Sequence, residues 1–424
     1  MISLLFVILV MLAVLGIPIA FAIGLSSAIA LFFKSDVPLL IVIQKMFTQL
    51  DSFPLLAVPF FVLAGGLMDR GGISIKLINF AGNLVGHIRG GLALVSTVAA
   101  MFFAGISGSA SADTAAIGSV LIPAMKAKGY SKGYAASVQA TAGSIGVIIP
   151  PSIPMVIYAL TADVSIGKLF LGGYIPGILL GLGLMIVSYG FALKYNYPAE
   201  PRADLPSLWK SFKESFWALM MAVIIMGGIL SGVFTATEAS VIAVVYALII
   251  GLFIYKDLKI KDLPQILIQS GIITSIVMFC VATTAVLAWI LTSEQIPLKL
   301  ANFMLSITTN PYLIFLFINV ILLIVGTFLD TTPAIILLVP IFLPMVTKLG
   351  VDPVHFGLIT VTNLAIGMCT PPVGITLFVA CSIAEISMTQ LIKSLLPYLA
   401  IMIAVLMIIT YFPGLVMFLP NLFM

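Results

Sequence analysis

Long apolar runs with few polar interruptions dominate this chain. Residues 169–193, 217–234, 239–255, 271–291, 312–329 and 395–418 are such runs, and a membrane span takes about 20 apolar residues with a floor of roughly 17. They predict ordinary spanning helices. Residues 1–33 are also apolar, for longer than the core of a secretory leader, and lack a basic start; such leaders have a short apolar core behind a basic segment. They predict a retained membrane helix interrupted at Gly16, Ile17 and Pro18. Other segments are too short or too mixed. Residues 54–68 make up about half to three-quarters of a span, and 37–50 interleave Gln44, Lys45 and Gln49 with apolar positions, a pattern of interfacial helices or half-helices.

The pattern repeats. Pro123 and Pro344, Gly129 and Gly350, Thr141 and Thr362, Gly146 and Gly367, and Pro150-Pro151 and Pro371-Pro372 share one offset of 221 residues. Upstream, IKLINF at 75–80 matches LKLANF at 298–303 at an offset of 223. The chain therefore reads as a duplicated unit joined near 194–214. Lys126, Lys128 and Lys132 crowd one loop of the first copy without an acid, whereas the matching loop balances Lys348 with Asp352. This asymmetry predicts opposite orientations for the two copies, the inverted-topology plan of secondary transporters; a parallel duplication is the alternative.

Composition narrows the function. Hydrophobic residues make up 62% and charged residues 8%, against roughly 25% charged in soluble domains, and the mean hydropathy is +1.27. The longest polar stretches, 194–214 and 256–262, cannot bury a core. An anchored enzyme with a soluble catalytic domain is excluded, so function must lie among the helices. The net charge of +4 is scattered between apolar runs and predicts cytoplasmic loop ends, with the lipid bilayer as surroundings and no nucleic acid as partner. Cys280, Cys369 and Cys381 form no CxxC pair, and His87 and His355 stand apart, so no zinc-type site or organic cofactor is expected. Trp209, Trp217 and Trp289 read as interfacial anchors.

Two kinds of interruption carry the chemistry. FFAGISGSASADTAAIGSVLIP, 102–123, places Gly105, Ser107, Gly108, Ser109, Ser111 and Asp113 between apolar arms. This predicts a re-entrant hairpin whose tip stops inside the membrane, tolerable only where protein or a wet cavity covers the backbone. TAGSIGVIIPPSIP, 141–154, then combines Gly143 and Gly146 with Pro150, Pro151 and Pro154; prolines remove amide donors and break a helix. The second copy has GTFLDTTP, 326–333, and NLAIGMCTPPVG, 363–374. Two tips and two breaks predict two cups rich in oxygen ligands, which suit a hard cation, here two or more sodium ions. The first cup comprises Ser107, Ser109, Ser111, Asp113, Ser144 and Gly146; the second comprises Gly326, Asp330, Thr331, Thr332, Asn363, Gly367 and Thr370. Half-helix N-termini favour an anion, so Ser109, Pro150, Pro151, Ser152, Pro371, Pro372 and Gly374 are the candidate substrate contacts.

Each intramembrane acid has a plainer reading. Asp113 and Asp330 could N-cap the outgoing hairpin arms instead of binding an ion, and Glu238 in FTATEAS could cap the following helix, a role worth about 1 kcal/mol. The serines could simply permit close helix packing.

GSASADTA with PPS in the first half, and FLDTTPA with NLAIGMCTPPVG in the second, resemble the large membrane (M) subunit of tripartite ATP-independent periplasmic (TRAP) transporters, essentially end to end. The resemblance implies an all-α polytopic protein of the bacterial inner membrane with inverted repeats, two re-entrant hairpins, two discontinuous helices and elevator-type movement. It divides the chain into scaffold parts 1–95 and 215–310, transport parts 96–193 and 311–424, and a linker 194–214. It further implies sodium-coupled import of an organic acid, a sialic acid or other sugar acid or a C4-dicarboxylate. The implied partners are a small membrane (Q) subunit, a separate chain since Met1 opens on the first large-subunit helix, and a periplasmic substrate-binding (P) protein. Ala236 departs from the family's usual FTPTEA, which leaves that turn less rigid. No Walker loop is present, as a gradient-driven carrier requires. The rival readings are an intramembrane hydrolase or transferase using Ser109 or Ser111 with Asp113, which lacks a base beside the serine, and an ion channel, which needs a continuous pore.

Overall fold

A computed structural model describes residues 2–33, 37–308 and 310–424, and it is helical with no strand among them. The first half comprises α1 (Ile2–Val14), α2 (Ile19–Phe32), α3 (Leu40–Leu50), α4 (Ala57–Arg70), α5 (Ile73–Val85), α6 (Gly91–Ser107), α7 (Ala110–Ala127), α8 (Lys132–Gly143), α9 (Ile153–Ala162) and α10 (Ile166–Tyr195). The second comprises α11 (Leu205–Leu230), α12 (Ala236–Ile249), α13 (Leu263–Ser293), α14 (Ile296–Ile307), α15 (Pro311–Phe328), α16 (Thr331–Lys348), α17 (Pro353–Gly367), α18 (Ile375–Ala384) and α19 (Met388–Tyr411), before two short helices close the chain. Among the described residues, eight helices are long and apolar enough to cross a membrane.

Local chemistry sets the boundaries. Gly16 at φ +79° and Pro18 separate α1 from α2, as glycine tolerates positive φ and proline lacks a donor. Ser152, Ser165 and Asp352 cap α9, α10 and α17 through bonds to backbone N–H groups. The polar stretch 194–214 divides in two, its second half being the opening turns of α11. Asp204 caps that helix, and Ser207 holds the Asp204 carboxyl below its ordinary range. The first-copy hairpin arms are longer than the polar pattern marks, with α6 beginning at Gly91 and α7 running to Ala127.

The helices pack as two groups, joined where α5 meets α6 and α13 meets α16. In one, α4 packs on α12, and α13 crosses α2, α3 and α4, while α5 lies against α11. In the other, α8 packs on α7, α18 and α19, and α17 on α15 and α16. The copies exchange partners: α7 packs against α18, and α16 against α9, so each post-break helix supports the other copy's hairpin arm. At one end of the bundle Lys126 faces Glu385 at 3.9 Å, Lys128 pairs with Glu200 at 3.0 Å and Lys76 with Asp257 at 2.7 Å. At the other, Tyr158 donates to the Pro353 carbonyl at 2.7 Å and Tyr411 to that of Tyr312 at 3.0 Å.

Candidate functional site

The first tip consists of two residues. α6 ends at Ser107, Gly108 takes φ +63°, and Ser109 in extended backbone opens α7 without a side-chain capping bond. Only glycine fits at 108, where an added methyl would stand 2.8 Å from the Pro151 carbonyl. The tip thereby rests on the first break, which holds a cis Pro150-Pro151 bond and is buried from 144 to 152.

Asp113 lies one turn inside α7 and is 0% exposed. It does not cap the helix, since Ser109 holds that position. Its Oδ1 accepts a bond from Ser107 Oγ, while Oδ2 is buried with no hydrogen-bond partner among the described residues. That free oxygen points at Gly146, where a methyl would stand 2.1 Å from it and 3.1 Å from the Ser109 carbonyl. Ser107, Ser109, Asp113 and Gly146 are thus brought together. Ser109 and Ser111 Oγ are 3.4 Å apart, and Ser144 instead donates to the Thr141 carbonyl at 2.7 Å. Sequence reasoning missed Gln139, which donates to the Asp113 carbonyl at 3.3 Å and accepts from Ser96; an amide inside an apolar stretch was the available signal.

The second copy is built differently. Gly326 and Gly367 meet backbone to backbone, a methyl on Gly367 standing 2.6 Å from the Gly326 Cα. Gly374 N–H donates to the Thr327 carbonyl at 3.2 Å, tying the second break, with its cis Pro371-Pro372 bond, to the second tip. Asp330 is the N-cap of α16, its Oδ1 accepting from Thr331 N–H at 2.6 Å and Thr331 Oγ1 at 3.2 Å. The residue is exposed, whereas Thr331 and Thr332 beside it are buried. The cap reading therefore describes Asp330, and also Glu238, whose carboxylate accepts from Thr235 N–H at 2.7 Å in a capping box. Thr370 Oγ1 donates back to Ile366 at 2.7 Å.

Asn363 is 0% exposed and donates to the Asn319 carbonyl at 3.0 Å and its Oδ1 at 2.7 Å; Asn319 donates to Thr410 at 3.1 Å. Asn363 Oδ1 is left buried and unpartnered among the described residues. Asn319, a polar residue within an apolar run, is a partner that sequence reasoning missed.

A cavity of about 250 Å³ lies between the two helix groups. Ser107, Ser109, Ala112 and Ile153 form one wall, while Gly65, Asp69, Arg70, Gln269 and Ser270 of α4 and α13 form the other. Asp69, Ala115 and Ala116 also line a groove that continues past Gly72, Ser74 and Ser119, toward the end carrying Lys76 and Lys126. The α4 and α13 residues were not foreseen, because nothing local marks them as facing the first tip.

This architecture, a bundle with membrane-length helices, a tip and a break in each copy and a cavity beside the first tip, defines a multi-pass membrane protein of transporter type. Residues 6–415 match the family described as tripartite ATP-independent periplasmic transporter, DctM component, and the chain belongs to that family. The isethionate TRAP transporter permease protein DctMQ of Oleidesulfovibrio alaskensis is 46% identical over 96% of this chain; the chain spans 64% of that protein's length. The C4-dicarboxylate TRAP transporter large permease protein DctM of Pseudomonas aeruginosa is 42% identical over 94% of each, and the sialic acid large permease SiaM of Vibrio cholerae is 39% identical over 96% of each. The YdaH transporter of Alcanivorax borkumensis shares the fold, with a TM-score of 0.64 at 14% identity over 88% of this chain and 87% of that one. Permeases of this family are not enzymes, and they work with a small membrane subunit and a periplasmic binding protein.

Proposed function

We propose that the chain is the inner-membrane permease of a sodium-coupled importer of a small organic acid delivered by a periplasmic binding protein. One observation carries the reading: Asp113 Oδ2, unpartnered among the described residues, beside Ser107 and the Ser109 carbonyl and against Gly146. An intramembrane carboxylate is costly unless paired and marks an ion pathway by default, and oxygen ligands suit a hard cation. Sodium at Asp113 supplies the missing partner. The second site uses Asn363 Oδ1 and the backbone around Gly326, Gly367 and Thr370, with Asp330 capping its tip.

Substrate sits at the first tip and against the breaks, where Ser109 offers α7 no side-chain cap and free N–H groups favour an anion. A cavity of about 250 Å³ is below the roughly 300–1,000 Å³ of drug-sized sites. A groove extends that space, giving room for isethionate, a C4-dicarboxylate or a sugar acid. Lys76, Arg89, Lys126, Lys128, Lys132, Lys194, Lys256 and Lys259 cluster near the end marked by the Lys128–Glu200 pair, while Lys168 and Lys348 lie toward the other. The basic end is cytoplasmic by the positive-inside rule, the groove opens inward, and the two hairpins enter from opposite sides. The hairpin group moves against the α4–α12–α13 group as an elevator.

Uptake into proteoliposomes containing the chain, its small subunit and its binding protein tests the reading. Accumulation requires an inward sodium gradient and falls sharply when either partner is omitted. Equal accumulation in sodium-free buffer with only a proton gradient overturns the coupling; robust uptake by the chain alone overturns the partnership.

A further inference from the structure

We infer that Arg70 is an anion-binding residue of the inward-open cleft, contributed by the helix group opposite the first tip, and that it grips the substrate's carboxylate or sulfonate only on the cytoplasmic side of the cycle. The inference rests on the transport reading above but concerns a residue outside both cups.

Arg70 occupies the last turn of α4 and lines the same cavity as Ser107 and Ser109. The walls touch: a methyl on Gly65, just over one turn before Arg70, would stand 3.4 Å from the Ser107 Cα. The neighbouring Asp69 lines the same cavity and is turned to Ser74, whose Oγ donates to its Oδ1 at 3.0 Å, and Arg70 forms no ion pair with it or with any other described residue. A guanidinium presents a planar fork that matches a carboxylate or sulfonate with two parallel hydrogen bonds. Across the cavity, the uncapped start of α7 presents N–H groups of the same polarity of attraction. An acid in this space meets Arg70 on one wall and the N–H groups of α7 on the other, with Asp69 as the competing carboxylate on the Arg70 wall.

The walls belong to different packing groups, which gives the contact its directional consequence. α4 packs with α12 and α13, whereas α7, which starts at the tip, packs with α8 and α18, and α6 touches both groups. Sliding one group along the other carries Arg70 away from the tip. A ligand contact present in one state and absent in the other shifts the equilibrium by its differential affinity, so Arg70 biases the loaded carrier toward the inward state and sets the affinity from which substrate is released. The plainer role is a cation anchoring the basic end to lipid headgroups; Arg89, exposed and outside the cavity lining, is the control for it.

Inside-out vesicles carrying the permease with its small subunit test the two roles. Ala115 is exposed in both the cavity and the groove, and the native Cys280, Cys369 and Cys381 are buried, so Ala115→Cys reports cleft occupancy through an impermeant maleimide. Succinate and isethionate in sodium buffer slow its labelling. Arg70→Gln raises the anion concentration for half-maximal protection about tenfold or more, Arg70→Lys raises it less, and Arg89→Gln leaves it unchanged. Protection unaltered by Arg70→Gln, an equal shift with Arg89→Gln, or no protection of the unsubstituted background by either anion overturns the inference. Loss of protection with Ser109→Ala but not Arg70→Gln also overturns it while leaving the transport reading intact; failure of sodium-driven uptake overturns that reading separately.

Discussion

A methyl group on Gly146 would stand 2.1 Å from Oδ2 of Asp113, so the first break and the tip's carboxylate meet with no room for a side chain. Gly146→Ala therefore displaces either the carboxylate or the break. The sodium concentration for half-maximal uptake rises about tenfold for each 1.4 kcal/mol lost. Gly190→Ala, at a position with no described residue within 4 Å of the added carbon, is the matched control and leaves sodium dependence unchanged. Equal behaviour of the two variants contradicts an ion site at Asp113.

Asn363→Ala and Asn319→Ala address the second copy. The two amides share a buried hydrogen bond of 2.7 Å, and leaving one partner unsatisfied costs about 1–3 kcal/mol. Each single variant lowers thermal stability in detergent and weakens sodium dependence, and the double variant costs less than the sum. Additive effects on unfolding show that the amides act independently.

Orientation is checked by labelling from each side. Lys132→Cys, beside the Lys128–Glu200 end, reacts with an impermeant maleimide from the cytoplasm. Lys348→Cys, at the C-terminus of α16, reacts from the periplasm. Labelling of both from one side rules out opposed hairpins.

Thr235→Ala removes the cap of α12, whose hydroxyl accepts from Glu238 N–H at 3.2 Å. The loss is about 1 kcal/mol of stability, read as a lower midpoint in thermal unfolding. Uptake per folded molecule stays unchanged, because the capping box is exposed and lines none of the cavity described above. A large fall in that uptake assigns Glu238 a role in transport.

The linear order of residues determined where helices run and where they fail. Pro150-Pro151 and Pro371-Pro372 stop a helix wherever they occur, Gly108 permits its own turn, and lengths of apolar run set spans; these are local steric and hydration effects, readable without knowing neighbours. The 221-residue register was visible for the same reason, because it repeats local breakers. Tertiary structure alone decided the partners. Asp113 and Asp330 look equally suited to capping in the chain, yet Ser109 takes the cap of α7 and leaves Asp113 to face Gly146, while Asp330 keeps its cap. Asn319 reaches Asn363 across 44 residues, and Arg70 comes to line one cavity with Ser107 through the packing of α4 on α6. Those choices follow from which helix faces meet, and in an all-apolar chain almost every face is compatible with burial, so the pattern of hydrophobic positions could not select among them.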